Sequence, residues 1–291
     1  GEPLVRVSSL LRGTLGDISG STDVTLTDYV REIVRSGFPG IRLLSGRALR
    51  RQLDGYTARI IDTDFEEQGY PVRRPEILSA WITAYAAATA TTASFETIRD
   101  AATGGHGEKP AKTTTQPYRD VLQKLWVLDP VLPWLPSRNM LKRLGQSPKH
   151  HLADPALAVR ALGLDEAALL SGNEPATQVP KDGTLLGNLF ESLVSLSLRV
   201  YAQASEANLR HFRLHGGRRE IDVIIERSDR KIVAMEVKLS GAVHDADVNN
   251  LLWLREQLGG DLLDGIVVNT GAYAYRRPDG IGVVPAALLG A

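Results

Sequence analysis

The sharpest pattern in the chain lies between residues 220 and 239, where apolar and polar side chains alternate with the period of a β-strand. In "EIDVIIE", Ile221, Val223 and Ile225 share one face, and Glu220, Asp222 and Ile224 share the other. In "KIVAMEVKL", Val233, Met235, Val237 and Leu239 point one way, and Ala234, Glu236 and Lys238 point opposite. The polar stretch Arg227-Ser228-Asp229-Arg230 between them predicts a turn, so the two runs read as a hairpin. Upstream, from Thr184, apolar residues recur at helical spacing, with Leu186, Phe190, Leu193, Leu196 and Val200 on one stripe and Glu191 beside it. Downstream, a helix over 248–258 is followed by two strands, "GIVVNT" and "IGVVP".

The first half of the chain reads as helical. A Gly-, Ser- and Thr-rich opening through Asp23 suggests a loose lead-in. "LTDYVREIVRSGFPG" then carries a helix that stops at Gly37 and Pro39. Residues 46–69 place Leu49, Leu53, Tyr56, Ile60 and Ile61 at helix spacing, and Asp62 and Asp64 beyond Arg59 suit salt bridging or contact with a further module. Pro75 opens two short helices, a polar loop follows, and a Thr-capped third helix is expected to start at Thr114 or Thr115 and to bury Val121, Leu122 and Leu125. Helix, short helix, loop, capped helix and extended apolar segment is the order of a winged helix-turn-helix. The expected organisation is a lead-in over 1–23, a helical connector over 24–74, a winged-helix-like domain over 75–136, and a mixed α/β domain with a central mixed sheet over 137–291.

Composition narrows the function classes. The 291 residues suffice for two or three domains. Lys and Arg total 34 and Asp and Glu total 34, so bulk charge does not argue for nucleic acid, and any such site must come from a local patch. One candidate patch is "SRNMLKRLGQSPKHH", where Arg138, Lys142, Arg143 and Lys149 stand without an acid. It suits either a solvated linker or a set of phosphate contacts. His150 and His151 at its end read as a surface pair. The absence of cysteine excludes disulfides and thiolate metal sites and fits a reducing cytoplasm. No apolar run approaches the ~18 residues of a membrane helix and no signal peptide is visible, so no membrane partner is expected. The histidines lack H-E-x-x-H spacing, no G-x-S-x-G occurs, and no glycine-rich dinucleotide loop follows a strand.

The chemistry therefore concentrates on the hairpin. Asp222 and Glu236 would meet across it with Lys238 alongside, and two carboxylates so placed repel unless a cation lies between them. A divalent metal is one answer, with Mg²⁺ the foremost candidate; the Lys238 ammonium is another. The order helix-Glu191, strand-Asp222, strand-Glu236-x-Lys238, helix, strand resembles the PD-(D/E)xK, or restriction-endonuclease-like, core, and especially its Holliday-junction-resolvase branch. That resemblance implies Mg²⁺ or Mn²⁺ held by Asp222, Glu236 and the backbone carbonyl of Val237, with Glu191 a further ligand, direct or through water. It implies a water-positioning role for Lys238 and catalytic roles for Glu191, Asp222, Glu236 and Lys238 together.

The wider chain adds a second resemblance. "YVREIVRSGFPG", "ARIIDTDFEE", "YRDVLQKLWVLDPVLPW", "HHLADPALAVRALGL", "GNLFESLVSLSL", "RREIDVII" and "AMEVKLS" arrive in this order. Together they resemble the C-terminal domain, formally of unknown function, of a bacterial and archaeal AAA+-like ATPase family, from about Asp28 onward. The resemblance implies an N-terminal ATPase module as partner, with ATP bound there. No G-x-x-x-x-G-K-[ST] occurs in these residues; "HGEKPAKT" has His106 and Ala111 where the motif requires glycine. Opening on Gly1 rather than Met, the chain is expected to be part of a longer protein. Two functions stay open: a Mg²⁺-dependent nuclease acting on DNA, or a catalytically inactive nuclease-like fold that binds nucleic acid or protein and regulates the ATPase. Assembly with further copies of the chain is open as well.

Overall fold

The computed structural model describes residues 5–13, 16–102, 110–136, 147–172, 184–214 and 218–291. In chain order, β1 (Val5–Arg6), α1 (Val7–Arg12) and β2 (Ser19–Ser21) come first. The helices α2 (Leu26–Arg35), α3 (Pro39–Arg42), α4 (Gly46–Arg59), α5 (Phe65–Glu67) and α6 (Pro75–Ala87) follow, a π-helical turn at Ile60–Asp64 joining α4 to α5. Next are α7 (Phe95–Ala101), α8 (Lys112–Lys124), α9 (Pro155–Ala161), α10 (Glu166–Ser171) and α11 (Leu185–Ala204). The last stretch is β3 (Asn208–Arg213), β4 (Glu220–Glu226), β5 (Ile232–Val237), α12 (Asp245–Leu258), β6 (Leu262–Asn269), β7 (Tyr273–Arg276), β8 (Gly282–Pro285) and β9 (Leu289–Gly290). The chain is mixed α/β, as expected. It forms two compact units: a sheet unit of Gly1–Tyr29, Val131–Pro148 and Val194–Ala291, and a helical unit of Val30–Pro130 and Lys149–Leu193.

The sheet unit holds a mixed seven-stranded sheet in the order β2-β7-β8-β6-β5-β4-β3. β3, β4 and β5 form an antiparallel meander; α12 then carries the chain over to β6, which lies parallel to β5. A parallel neighbour cannot be reached by a tight turn, and α12 supplies the required crossover. The predicted hairpin turn is present: Arg227 N–H donates to the Lys231 carbonyl at 3.0 Å, and Arg230 closes it at φ 74°. Strand centres are apolar on both faces, as burial on both sides requires, with Val223, Ile224, Ile225, Ala234, Met235, Ile266 and Val267 fully buried. Ile224, Ala234 and Val267 pack against Val248, Leu251 and Leu254 of α12 in one core, which also takes in Trp134 and Phe212. Each of the Val, Leu, Ile and Phe side chains among them contributes about 1.5–3 kcal/mol on burial.

The opening is not a loose lead-in. α1 buries Val7, Leu10 and Leu11 and packs on β5 and β6, and it ends at Gly13 in the left-handed region at φ 68°. β1 pairs with β9, and β2 pairs with β7 at the edge of the main sheet. Arg227 ties the segment down, its Nη1 donating to the Leu11 carbonyl at 2.6 Å. A six-residue helix and strands of two and three residues are too short for any period to show in the sequence.

In the helical unit, α6, α7 and α8 stand where three helices were expected, with Leu78, Trp81, Ile98, Val121 and Leu122 buried among them. α8 begins at Lys112 behind Ala111, so neither Thr114 nor Thr115 is its cap, and Leu125 is only half-buried. Arg59 Nε and Asp64 Oδ1 form the salt bridge suggested for that stretch, at 3.3 Å. Among the described residues no wing hairpin follows α8. Instead, residues 149–153 thread through the unit: Ala90 N–H donates to the His150 carbonyl, and Asp129 N–H to the His151 carbonyl, at 2.8 and 2.9 Å. Asp154 completes the closure. Buried, it caps α9 through Ala156 N–H at 2.8 Å and accepts from Ser36 Oγ and Gly37 N–H at 2.7 Å each. The chain passes from one unit to the other after Tyr29, Pro130, Pro148 and Leu193.

Burial of α1 sets a test. Leu10→Ala should lower the stability of the sheet unit by about 2–4 kcal/mol in urea denaturation, whereas a loose lead-in would leave the midpoint unchanged.

Candidate functional site

The hairpin register builds the site. Val223 pairs with Met235 and Ile224 with Ala234, so the same register one step further sets Asp222 opposite Glu236. Both lie on the sheet face that α12 covers, at the end of the hairpin away from its turn. Val237 N–H donates to Asp222 Oδ2 at 2.9 Å, and Lys238 Nζ donates to Glu236 Oε2 at 3.2 Å. Asn250 of α12 reaches the other oxygen, its Nδ2 lying 3.5 Å from Glu236 Oε1. Arg219 Nη1 in turn donates to Asn250 Oδ1 at 3.2 Å, with its guanidinium 5.5 Å above the Trp253 ring. Asn250 and Arg219 escaped the sequence reading because no motif separates a buried-side asparagine on a crossover helix from its neighbours.

The backbone after Lys238 is clamped to the turn that follows β6. Lys238 N–H donates to the Val268 carbonyl at 2.9 Å, Thr270 Oγ1 to the Leu239 carbonyl at 2.6 Å, and Asn269 Nδ2 to the Gly241 carbonyl at 3.0 Å. Gly271 permits this approach, since a Cβ there would stand 2.6 Å from the Gly241 carbonyl oxygen.

Burial pushes the Glu236 carboxyl well above its ordinary value, the charge of Asp222 pushes the same way, and Lys238 opposes both. Burial disfavours the charged form of Lys238 as well, but Glu236 and then Asp222 outweigh it and hold the ammonium above its usual value. Asp247 at the start of α12 adds to this. The result is a pair of carboxylates in a low-dielectric setting that a cation stabilises strongly.

Glu191 belongs to the other unit. It lies on the N-terminal part of α11, where Lys149 Nζ donates to its Oε1 at 2.8 Å. Among the described residues, no three His, Cys, Asp or Glu side chains stand together in a way that could hold a metal ion. Lys149 is fully buried and is not a surface phosphate contact. Arg138, Lys142 and Arg143 lie outside the described residues. His150 and His151 are not a surface pair either: both are buried. His150 Nε2 donates to the Ala93 carbonyl at 2.7 Å, which leaves Nδ1 to accept from Tyr85 Oη at 3.3 Å. Tyr85 and Phe95 meet its ring edge-on at 5.0 Å each. A polar run reads as exposed, yet Lys149 and His150 lie in a core that supplies each with a hydrogen-bond partner.

Residues 26–168 match the model of a family described as a domain of unknown function, DUF8612. Residues 186–289 match a second, also described as a domain of unknown function, DUF4143. The second match takes in Glu191, Asp222, Glu236 and Lys238. No curated protein and no solved structure matches the chain.

Two outcomes follow from the buried polar groups. Lys149→Met strands the Glu191 carboxylate and should cost about 3–5 kcal/mol in chemical denaturation, most of it recovered in Lys149→Met/Glu191→Leu. Burial holds the His150 imidazole down at about 4, against the 6.5 it has when free. The unfolded chain therefore takes up the proton first as pH falls. The stability from neutral His150 is fully present above about pH 6.5 and is lost progressively towards pH 4, by up to about 3 kcal/mol. Against His150→Gln, wild type should show this extra acid-side loss in denaturation midpoints across that range.

Proposed function

We propose that the sheet unit is a metal-dependent phosphodiesterase of the PD-(D/E)xK, Holliday-junction-resolvase-like kind, acting on DNA. One observation carries this reading: Asp222 stands opposite Glu236 across the β4–β5 register, with Lys238 bonded to Glu236. The order of α11, antiparallel meander, α12 and parallel β6 supports it. The donors fit a hard divalent cation, because the Asp222 and Glu236 carboxylates and the Val237 carbonyl all offer oxygen. Those three would hold Mg²⁺ or Mn²⁺, which supplies charge neutralisation at the scissile phosphate and a lowered pKa for water.

The chain's own residues do the rest. Asn250 orients Glu236, and Arg219 holds Asn250. Lys238 positions the attacking water and balances charge on the phosphate. Glu191, by resemblance the fourth member, is bound in this structure to Lys149. On the same reading the chain is the C-terminal part of an AAA+-like ATPase that binds ATP in another module, and the three helices α6 to α8 hold DNA in the manner of a winged helix.

A second reading makes the nuclease-like fold a non-cleaving binding or regulatory module. The engagement of Glu191 by Lys149, with no three-acid cluster among the described residues, favours it.

Cleavage of linear and branched DNA in Mg²⁺ or Mn²⁺ separates the two. Asp222→Ala and Lys238→Ala are each expected to lower the rate at least ~100-fold while the fold persists. Equal cleavage by wild type and Asp222→Ala, or none by wild type, would sink the enzyme in favour of the second reading.

A further inference from the structure

We propose that the helical unit carries a binding pocket for a phosphate monoester of nucleotide size, walled by α6, α7 and α8. The cavity there measures about 310 Å³, the small end of the roughly 300–1,000 Å³ range of ligand pockets. Its floor is the buried indole of Trp81. Arg99 of α7 and Lys112 and Arg119 of α8 line it together with the Glu96 carboxylate.

Both guanidiniums are held but not consumed. Asp100 takes Nε and Nη2 of Arg99, and Asp120 takes Nε and Nη2 of Arg119, at 3.1–3.3 Å. These are half-exposed pairs between adjacent residues, which contribute little to stability and fix the guanidinium planes. Among the described residues nothing bonds Nη1 of either arginine, and Lys112 has no ion pair. Arginine edges offered in this way match phosphate oxygens.

The start of α8 adds further donors. This 13-residue helix has Ala111 as its N-cap, with no side-chain acceptor, and its first internal bonds run from Thr114 and Thr115 N–H to the Ala111 carbonyl. The Lys112 and Thr113 amides have no partner among the described residues, and the helix dipole favours an anion beside them. The Thr115 side chain also lines the cavity. The flat part of the ligand has a platform too: the Arg119 guanidinium lies 4.8 Å over the Phe95 ring, and a base stacks on such an arginine plane.

The ligand is a nucleotide phosphate, either free or at the end of a strand. Calorimetric titration of the whole chain in EDTA, with no divalent ion, keeps this test apart from cleavage at the sheet. The probes are adenosine 5′-monophosphate, inorganic phosphate, and an eight-residue oligothymidylate with and without a 5′-phosphate. Binding of the monophosphate as tightly as the phosphorylated oligonucleotide assigns the pocket to a free nucleotide. Tighter binding of the oligonucleotide only when it is 5′-phosphorylated assigns it to a strand end. In either case Lys112→Gln/Arg119→Gln should weaken binding at least tenfold at an unchanged melting temperature. Dissociation constants above about 1 mM for every probe, or equal affinity of the variant and wild type, overturn the proposal.

Discussion

The sheet unit depends on the register of β4 against β5. A slip of one residue would turn Ile221, Val223 and Ile225 onto the face now held by Asp222 and Ile224, and the same exchange would follow in β5. Because both faces of these strands are buried, that slip would carry the acids onto the opposite, apolar face, away from Asn250 of α12. The register that buries the isoleucines and valines is thus the one that brings Asp222 and Glu236 together. Carboxylates are tolerated there because they sit near the strand ends, where Val237 N–H, Lys238 and Asn250 can reach them. The crossover through α12 is part of the same constraint, since it fills one sheet face with Val248, Leu251 and Leu254 and delivers Asn250 to the acids.

The helical unit solves a different problem, that of closing a set of short helices. Residues 149–154 do so by passing between the turn after α6 and the segment after α8. Three side chains on that path have a local answer: Lys149 on Glu191, His150 on Ala93 and Tyr85, Asp154 on Ser36, Gly37 and the start of α9. Asp154 explains physically why "SGFPG" and "DPALA", far apart in sequence, occur together: one carboxylate serves both.

Legibility followed local period. The hairpin, its four-residue turn and the helix carrying Glu191 were readable because an alternation of two and a repeat of 3.6 are visible in runs of seven residues or more. Asp222, Glu236 and Lys238 were readable as a group because strand geometry alone places them on one face. The opening segment was not, since α1 and its flanking strands are shorter than any period. The fate of "KHH" was hidden too, because Lys149 and His150 find their partners 42 to 65 positions away in sequence, and local polarity says nothing of them. The start of α8 was misjudged because three threonines looked like caps, while the chain enters the helix at Ala111.

By itself, then, the sequence determined a mixed α/β chain with an acid pair and a lysine on one face of a hairpin, because side-chain alternation is a property of the backbone. Only the tertiary structure decided the rest. It placed Asn250 and Arg219 against the acids, engaged Glu191 with Lys149, drew the opening residues into the sheet, and grouped Arg99, Lys112 and Arg119 around one cavity. Each of these is a contact between separate elements, and its energy comes from burial and pairing that no local pattern encodes.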